Sequence, residues 1–116
     1  MAGVGVATID VRSPAEGVHI LDIQGELTAS AEEPLLAALS LAGRSARTIV
    51  LNLSEAESID SHGAGLLIAV QARTQRQKQR LRAYGLSQEF RRAFQATHLD
   101  ERVGLCSDEA DALRNL

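Results

Sequence analysis

Apolar residues recur along this chain with two alternating periods. Val4, Val6, Ile9 and Val11 alternate loosely, and Ser13-Pro14-Ala15-Glu16-Gly17 then reads as a turn. Val18, Ile20 and, after Leu21, Ile23 alternate as a second strand, stopped by Gly25. A helix of about 15 residues follows, with Thr28 or Ser30 as N-cap and Leu35, Leu36 and Leu39 among its apolar positions. Gly43 is its expected stop. Residues 47–53 are apolar on both faces, as in a central strand covered by helices.

A polar connection over Ser54–Ser58 leads to a long helix predicted over about 62 to 80, whose apolar face begins with Leu66, Leu67 and Val70. Leu81 to Tyr84 is a fourth strand, ended by Gly85. Ser87 caps a helix carrying Phe90, Ala93 and Phe94, and Thr97 to Arg102 is a loop. Val103 and Leu105 make a last short strand, and Ser107 or Asp108 caps a final helix with Ala110 and Leu113. The order ββαβαβαβα predicts an α/β fold: an opening antiparallel pair, then parallel strands in one mixed sheet, with about four helices packed on it.

At 116 residues, the chain is expected to form one domain spanning 1–116. Only 3% of residues are aromatic, so the core is aliphatic and a base-stacking surface for nucleic acid is not expected. Cys106 is the only cysteine, which excludes an intrachain disulfide. No signal pattern and no bilayer-length apolar stretch is visible, so a cytoplasmic protein without membrane insertion is expected.

The net charge of −3 conceals an asymmetry: residues 1–60 carry nine acids against three bases, residues 61–116 six against nine. The positive half centres on Arg73, Arg76, Lys78, Arg80 and Arg82. Such a cluster suits a solvated helix end, where the dipole favours cations, or a surface for a partner. No nucleic-acid motif accompanies it.

Candidate chemistry concentrates in Ile59-Asp60-Ser61-His62-Gly63-Ala64-Gly65-Leu66, which joins the central strand to the long helix. A hydroxyl at a helix start sits among free backbone N–H groups and the positive end of the dipole. It suits a serine that receives and loses a phosphate. Asp60 reads as an N-cap, a partner contact, or both. Gly63 and Gly65 permit close approach, by packing neighbours or by a partner backbone. His19, His62 and His98 have no ligand spacing, so no metal is expected. No phosphate-loop motif argues for a nucleotide, and no cofactor is expected. The serine is not in Gly-x-Ser-x-Gly and has no evident base, so the chain is not expected to be an enzyme.

Together these segments resemble the STAS domain of bacterial anti-sigma factor antagonists. Gly25-Glu26-Leu27 is similar to the family's Gly-Glu-Leu turn, and Ile49-Val50-Leu51-Asn52-Leu53-Ser54 to its central strand. Asp60-Ser61-His62-Gly63-Ala64-Gly65 is similar to its Asp-Ser-x-Gly-x-Gly loop, and Tyr84-Gly85-Leu86-Ser87, Phe90, Phe94 and Leu99 follow its later pattern.

The resemblance implies that Ser61 is a phosphorylation site. It also implies that Glu26, Thr28, Asp60, Ser61, His62, Gly63 and Gly65 form a partner-binding face. The partner implied is an anti-sigma factor that is also an ATP-using serine kinase. Binding it releases sigma factor, phosphorylation at Ser61 ends the complex, and a metal-dependent PP2C-type phosphatase restores the binding form. A homodimer is compatible. Two positions depart from the pattern: Thr28 stands where the family often has Asp, and His62 where it usually has a small residue. Those departures keep an alternative in view, a non-phosphorylated STAS scaffold or regulatory subunit of a stress-signalling or lipid/anion transport system.

Overall fold

A computed structural model describes residues 7–116. Val4 and Val6, predicted in the first strand, lie outside the described residues. Strand β1 (Thr8–Ala15) pairs antiparallel with β2 (Val18–Leu27), and β3 (Thr48–Ile59), β4 (Arg80–Tyr84) and β5 (Gly104–Cys106) add in parallel, in the spatial order β1-β2-β3-β4-β5. The helices are α1 (Glu32–Ala42), α2 (Ser61–Arg76), α3 (Gln88–Ala96) and α4 (Glu109–Ala112), with 3-10 turns at Ala29–Ala31 and Leu99–Glu101. The predicted mixed sheet with four helices is therefore the fold.

Strands that add in chain order through right-handed crossovers all advance the same way, which places the crossover helices on one face. Leu35 and Leu39 of α1, Leu67 and Val70 of α2, and Phe90 and Phe94 of α3 accordingly share one core with Leu21, Ile23, Ile49, Leu51 and Leu53 of the sheet. The opposite face has a smaller apolar cluster: Val18, Ile20, Val50 and Tyr84 beneath Ala112 of α4. This explains why residues 49–51 are apolar without alternation: both faces of β3 are covered there.

Several boundaries differ from the sequence reading. Ser13-Pro14-Ala15 belongs to β1 rather than to the turn, which is confined to Glu16 and Gly17. β1 is an edge strand, where a proline without an N–H is tolerated, and its register shifts between Arg12 and Ala15. β2 does not stop at Gly25. That glycine takes a φ of +90° beside a register shift, and the strand continues to Leu27.

The largest difference lies in Ser54–Ser58, expected to be a connection. It is strand, paired to Gln24, Gly25 and Glu26 of β2. Two register shifts each insert an extra residue into β3, so its polar positions lose the simple alternation by which a strand is recognised.

The first crossover helix starts without the expected side-chain cap. Thr28 precedes the 3-10 turn, but its hydroxyl meets that of Ser30 at 3.1 Å and takes no backbone N–H. Pro34 in the first turn of α1 has no N–H to satisfy, and Glu32 and Glu33 favour the dipole there. Gly43 ends α1 with φ +76°. α2 runs from Ser61 to Arg76 rather than to 80, because Lys78 adopts the left-handed conformation at φ 58°. At α4 the cap is Asp108, not Ser107. Asp108 Oδ1 accepts from Asp111 N at 2.9 Å, and Asp111 Oδ2 accepts in return from Ser107 N at 2.9 Å.

The basic run divides between two tasks. Arg82 Nη1 donates to the carbonyls of Ala112 and Arg114 at 2.8 and 2.7 Å, and Arg80 Nη1 donates to that of Asn115 at 3.0 Å. These two arginines bind the last residues of the chain to β4. Arg73 and Arg76 instead close the C-terminal turn of α2.

Candidate functional site

The site lies at the C-terminal end of β3, where the sheet hands the chain to α2. Asp60 is extended (φ −111°, ψ −173°), and its Oδ1 accepts a hydrogen bond from Gly63 N at 2.8 Å. The N-cap reading of Asp60 therefore holds. Ser61 is the first residue of the helix and is exposed. Its hydroxyl stands at the positive end of a 16-residue helix.

The end of β2 supports this turn from below. The Leu27 carbonyl accepts from Asp60 N at 3.4 Å, and Leu27 pairs with Ile59 across the ladder. Gly63 packs directly over that carbonyl. A β-carbon at residue 63 would stand 2.7 Å from the Leu27 carbonyl carbon and closer still to its oxygen. Gly63 is buried, which corrects the expectation that it lies on the partner face; its missing side chain serves packing. Gly65 is the reverse case: it is exposed, and a β-carbon there would meet nothing within 4 Å.

His62 extends from the second residue of α2 towards the start of α1, where its Nε2 lies 3.5 Å from Glu32 Oε1, both side chains about half exposed. Glu26 and Thr28 are partly buried on either side of Leu27, beside the same turn through the pairing of Glu26 with Ser58. Asp60, Ser61, His62 and Gly65 are thus exposed together along the start of α2, flanked by Glu26 and Thr28.

Two contributors were not anticipated from sequence. Glu32 meets His62 across two helices, a contact that no local pattern encodes. Glu89, in the first turn of α3, accepts from Ile59 N at 3.2 Å. Its position two residues after the Ser87 cap was the only available hint. The surroundings of Ser61 are consequently acidic, with Asp60, Glu26, Glu32 and Glu89 close by in the fold.

An open turn with an exposed serine at a helix start thus lies at the end of the central strand of a five-stranded sheet entered by an antiparallel pair. The chain belongs to the STAS domain family: the family model described as Mlab, STAS domain, matches residues 11–107. No protein of curated function matches it. Among solved structures, an anti-sigma factor antagonist from Mycobacterium paratuberculosis is 23% identical, with a TM-score of 0.81 over 97% of this chain and 96% of that one. The phosphorylated form of the Bacillus cell fate determinant SpoIIAA is 22% identical, with a TM-score of 0.71 over 89% and 95%. A sulfate transporter family protein from Wolinella succinogenes is 20% identical, with a TM-score of 0.76 over 88% and 86%. These likenesses show the fold. Among the described residues no helix is long and apolar enough to cross a membrane.

Proposed function

We propose that this protein is a cytoplasmic anti-sigma factor antagonist whose hold on its partner is switched by phosphate at Ser61. The partner is an anti-sigma factor that is also a serine kinase. Capture of that kinase frees sigma factor, phosphorylation of Ser61 ends the complex, and a PP2C-type phosphatase resets it. The supporting observation is the exposed Ser61 hydroxyl at the first position of α2, beside an Asp60 carboxylate already committed to the helix cap.

A phosphate there adds roughly −1.5 to −2 charges and three acceptor oxygens. The fold tolerates it, because helix N–H groups and the dipole face it. A partner does not, because the added charge joins Asp60 and Glu26 on the docking face and needs desolvation. The domain thus stays folded while the complex falls apart. In the transfer, Ser61 Oγ attacks the γ-phosphorus of ATP held by the kinase, ADP leaves, and the hydroxyl proton passes to a base of the kinase. This chain supplies the acceptor alone and holds neither nucleotide nor metal.

Incubation with the host's cognate kinase and ATP tests the reading by intact mass: one added phosphate is expected, absent in Ser61→Ala. The unmodified protein and Ser61→Ala are expected to bind the kinase, and Ser61→Asp at least tenfold more weakly. Equal affinity of all three would remove the switch.

A second reading has one observation of its own. His62, held towards Glu32 at 3.5 Å, places an imidazole beside the serine, where it narrows a kinase's approach. In that case the same surface serves as a constitutive scaffold or as the regulatory subunit of a transport system. Protein from the native host carrying no phosphate and co-purifying with membrane transport components would favour this reading over the first.

A further inference from the structure

Between α1 and α2 runs a groove of about 200 Å³. Leu36, Leu66 and Ala69 line it, and Leu36 is 50% exposed. The two helices begin side by side at Glu32 and His62 and follow parallel strands, so they run in the same direction. Glu32 therefore marks one end of the groove, and Arg73 and Arg76 the other. The same two arginines also line an adjoining depression with Arg44. Among the described residues, no carboxylate lies within 4 Å of these three guanidinium groups.

We infer that this groove receives an amphipathic helix of a partner protein, with apolar side chains at i, i+3 or i+4 and i+7. Acidic residues of that helix lie over Arg44, Arg73 and Arg76. An apolar strip between two helices is the shape into which such a helix fits, and its repeat matches the repeat of the groove walls. Unpaired arginines at one end supply both direction and charge selectivity, because a carboxylate can meet a guanidinium in a paired geometry. A nucleic acid would leave Leu36 and Leu66 uncovered. The basic end lies on the order of 20 Å along α2 from Ser61, at 1.5 Å rise per residue. This surface therefore goes beyond the Ser61 switch and works with Ser61 in either state.

The test is selection of a phage-displayed library of randomised 16-residue peptides on the full chain. The enriched peptides are expected to carry apolar residues at helical spacing with an Asp/Glu cluster at one end. They are expected to bind at least tenfold more weakly to Leu36→Ser and to the Arg73→Glu/Arg76→Glu protein, and within threefold of wild type to Ser61→Asp. The last arm separates failure of the groove from failure of the switch. Each variant's urea midpoint is measured alongside, since Arg73→Glu/Arg76→Glu sets two acids at the C-terminal turn of α2, and binding is compared only where the variant is folded. Failure to enrich any peptide, enrichment without acidic bias, or equal binding to the charge-reversed protein overturns the inference. So does a dimer in sedimentation that Leu36→Ser dissolves, which would give the groove to a second copy. Arginine-dependent flotation with phosphatidylglycerol vesicles, in place of peptide binding, would give it to a membrane surface.

Discussion

Gly63 rests against the Leu27 carbonyl with no room for even a methyl group: its Cα passes so close that an added β-carbon would overlap the carbonyl oxygen. The contact ties the first turn of α2 to the last residue of β2, and it fixes where Ser61 emerges. Gly63→Ala must shift either the helix start or the strand end, and both are held, by Asp60 and by the Leu27–Ile59 pairing. A cost of about 1–3 kcal/mol is expected, read as a lower urea midpoint. An unchanged midpoint would mean that the turn relaxes freely.

Gly65, two residues on, gives the opposite result. It sits in open space within the helix, so Gly65→Ala exchanges a poor helix former for the best one. Stability should rise by about 1 kcal/mol, a few degrees in Tm. If a partner backbone comes close at Gly65, the same variant binds the proposed kinase partner more weakly while melting higher. That pairing of outcomes separates docking from folding.

Much of this turn was legible in the chain, because it is written locally. An apolar run at Ile49–Leu53, a carboxylate at Asp60 and an apolar helical face from Leu66 specify strand, cap and helix without long-range information. The extension of β3 through Ser54–Ser58 was not legible. Its residues are polar, its two bulges break the alternation, and only its pairing with Gln24–Leu27 makes it a strand. Helix α4 is four residues long and buries a single residue, Ala112. Its role as the cover of the second face rests on Arg12, Tyr84 and Arg82, all distant in sequence. The pairing of Glu32 with His62 was hidden for the same reason.

The cap role of Asp60 and its proposed role at the partner face can be separated by chemistry. Asp60→Ala removes the acceptor for Gly63 N and should cost about 1 kcal/mol, within the usual range for a lost N-cap. Asp60→Asn keeps an acceptor oxygen and removes the charge, so its unfolding free energy should stay within a few tenths of a kcal/mol of wild type. Any change in kinase affinity in Asp60→Asn then reports the charge alone. If Asn and Ala destabilise equally, the carboxylate stabilises through the dipole rather than through the bond.

The second face of the sheet predicts an acid limb of stability. Arg12 Nε and Nη2 donate to Asp22 at 2.5 and 2.9 Å, and Nη2 also reaches Glu109 of α4 at 2.9 Å. The guanidinium holds both carboxyls below their ordinary values of 3.8 and 4.5, with further help from Asn52 at Asp22 and from the Tyr84 hydroxyl at Glu109. Unfolding returns both groups to those ordinary values, so the unfolded chain binds protons first as pH falls. The stabilisation is complete above about pH 5 and is lost as pH falls through the depressed native values. In Arg12→Gln the native and unfolded values converge. The variant should therefore be less stable than wild type at pH 7 and closer to it near pH 3, measured as urea midpoints. A parallel loss at both values would assign Arg12 a packing role instead.

The same cluster has a built-in alkaline reporter. Tyr84 is the only tyrosine, so absorbance of the ionised phenol near 295 nm follows one group. Burial disfavours the phenolate, and the hydrogen bond donated to Glu109 Oε1 at 2.9 Å holds the proton further, so the phenol is pushed up to about 12 from its ordinary 10. Glu109→Gln removes the neighbouring negative charge while preserving an acceptor of similar shape, and should move the midpoint back towards 10 without abolishing burial. Should the titration of the folded protein instead centre near 10 with Glu109 intact, Tyr84 is not covered by α4, and the short helix does not close this face in solution.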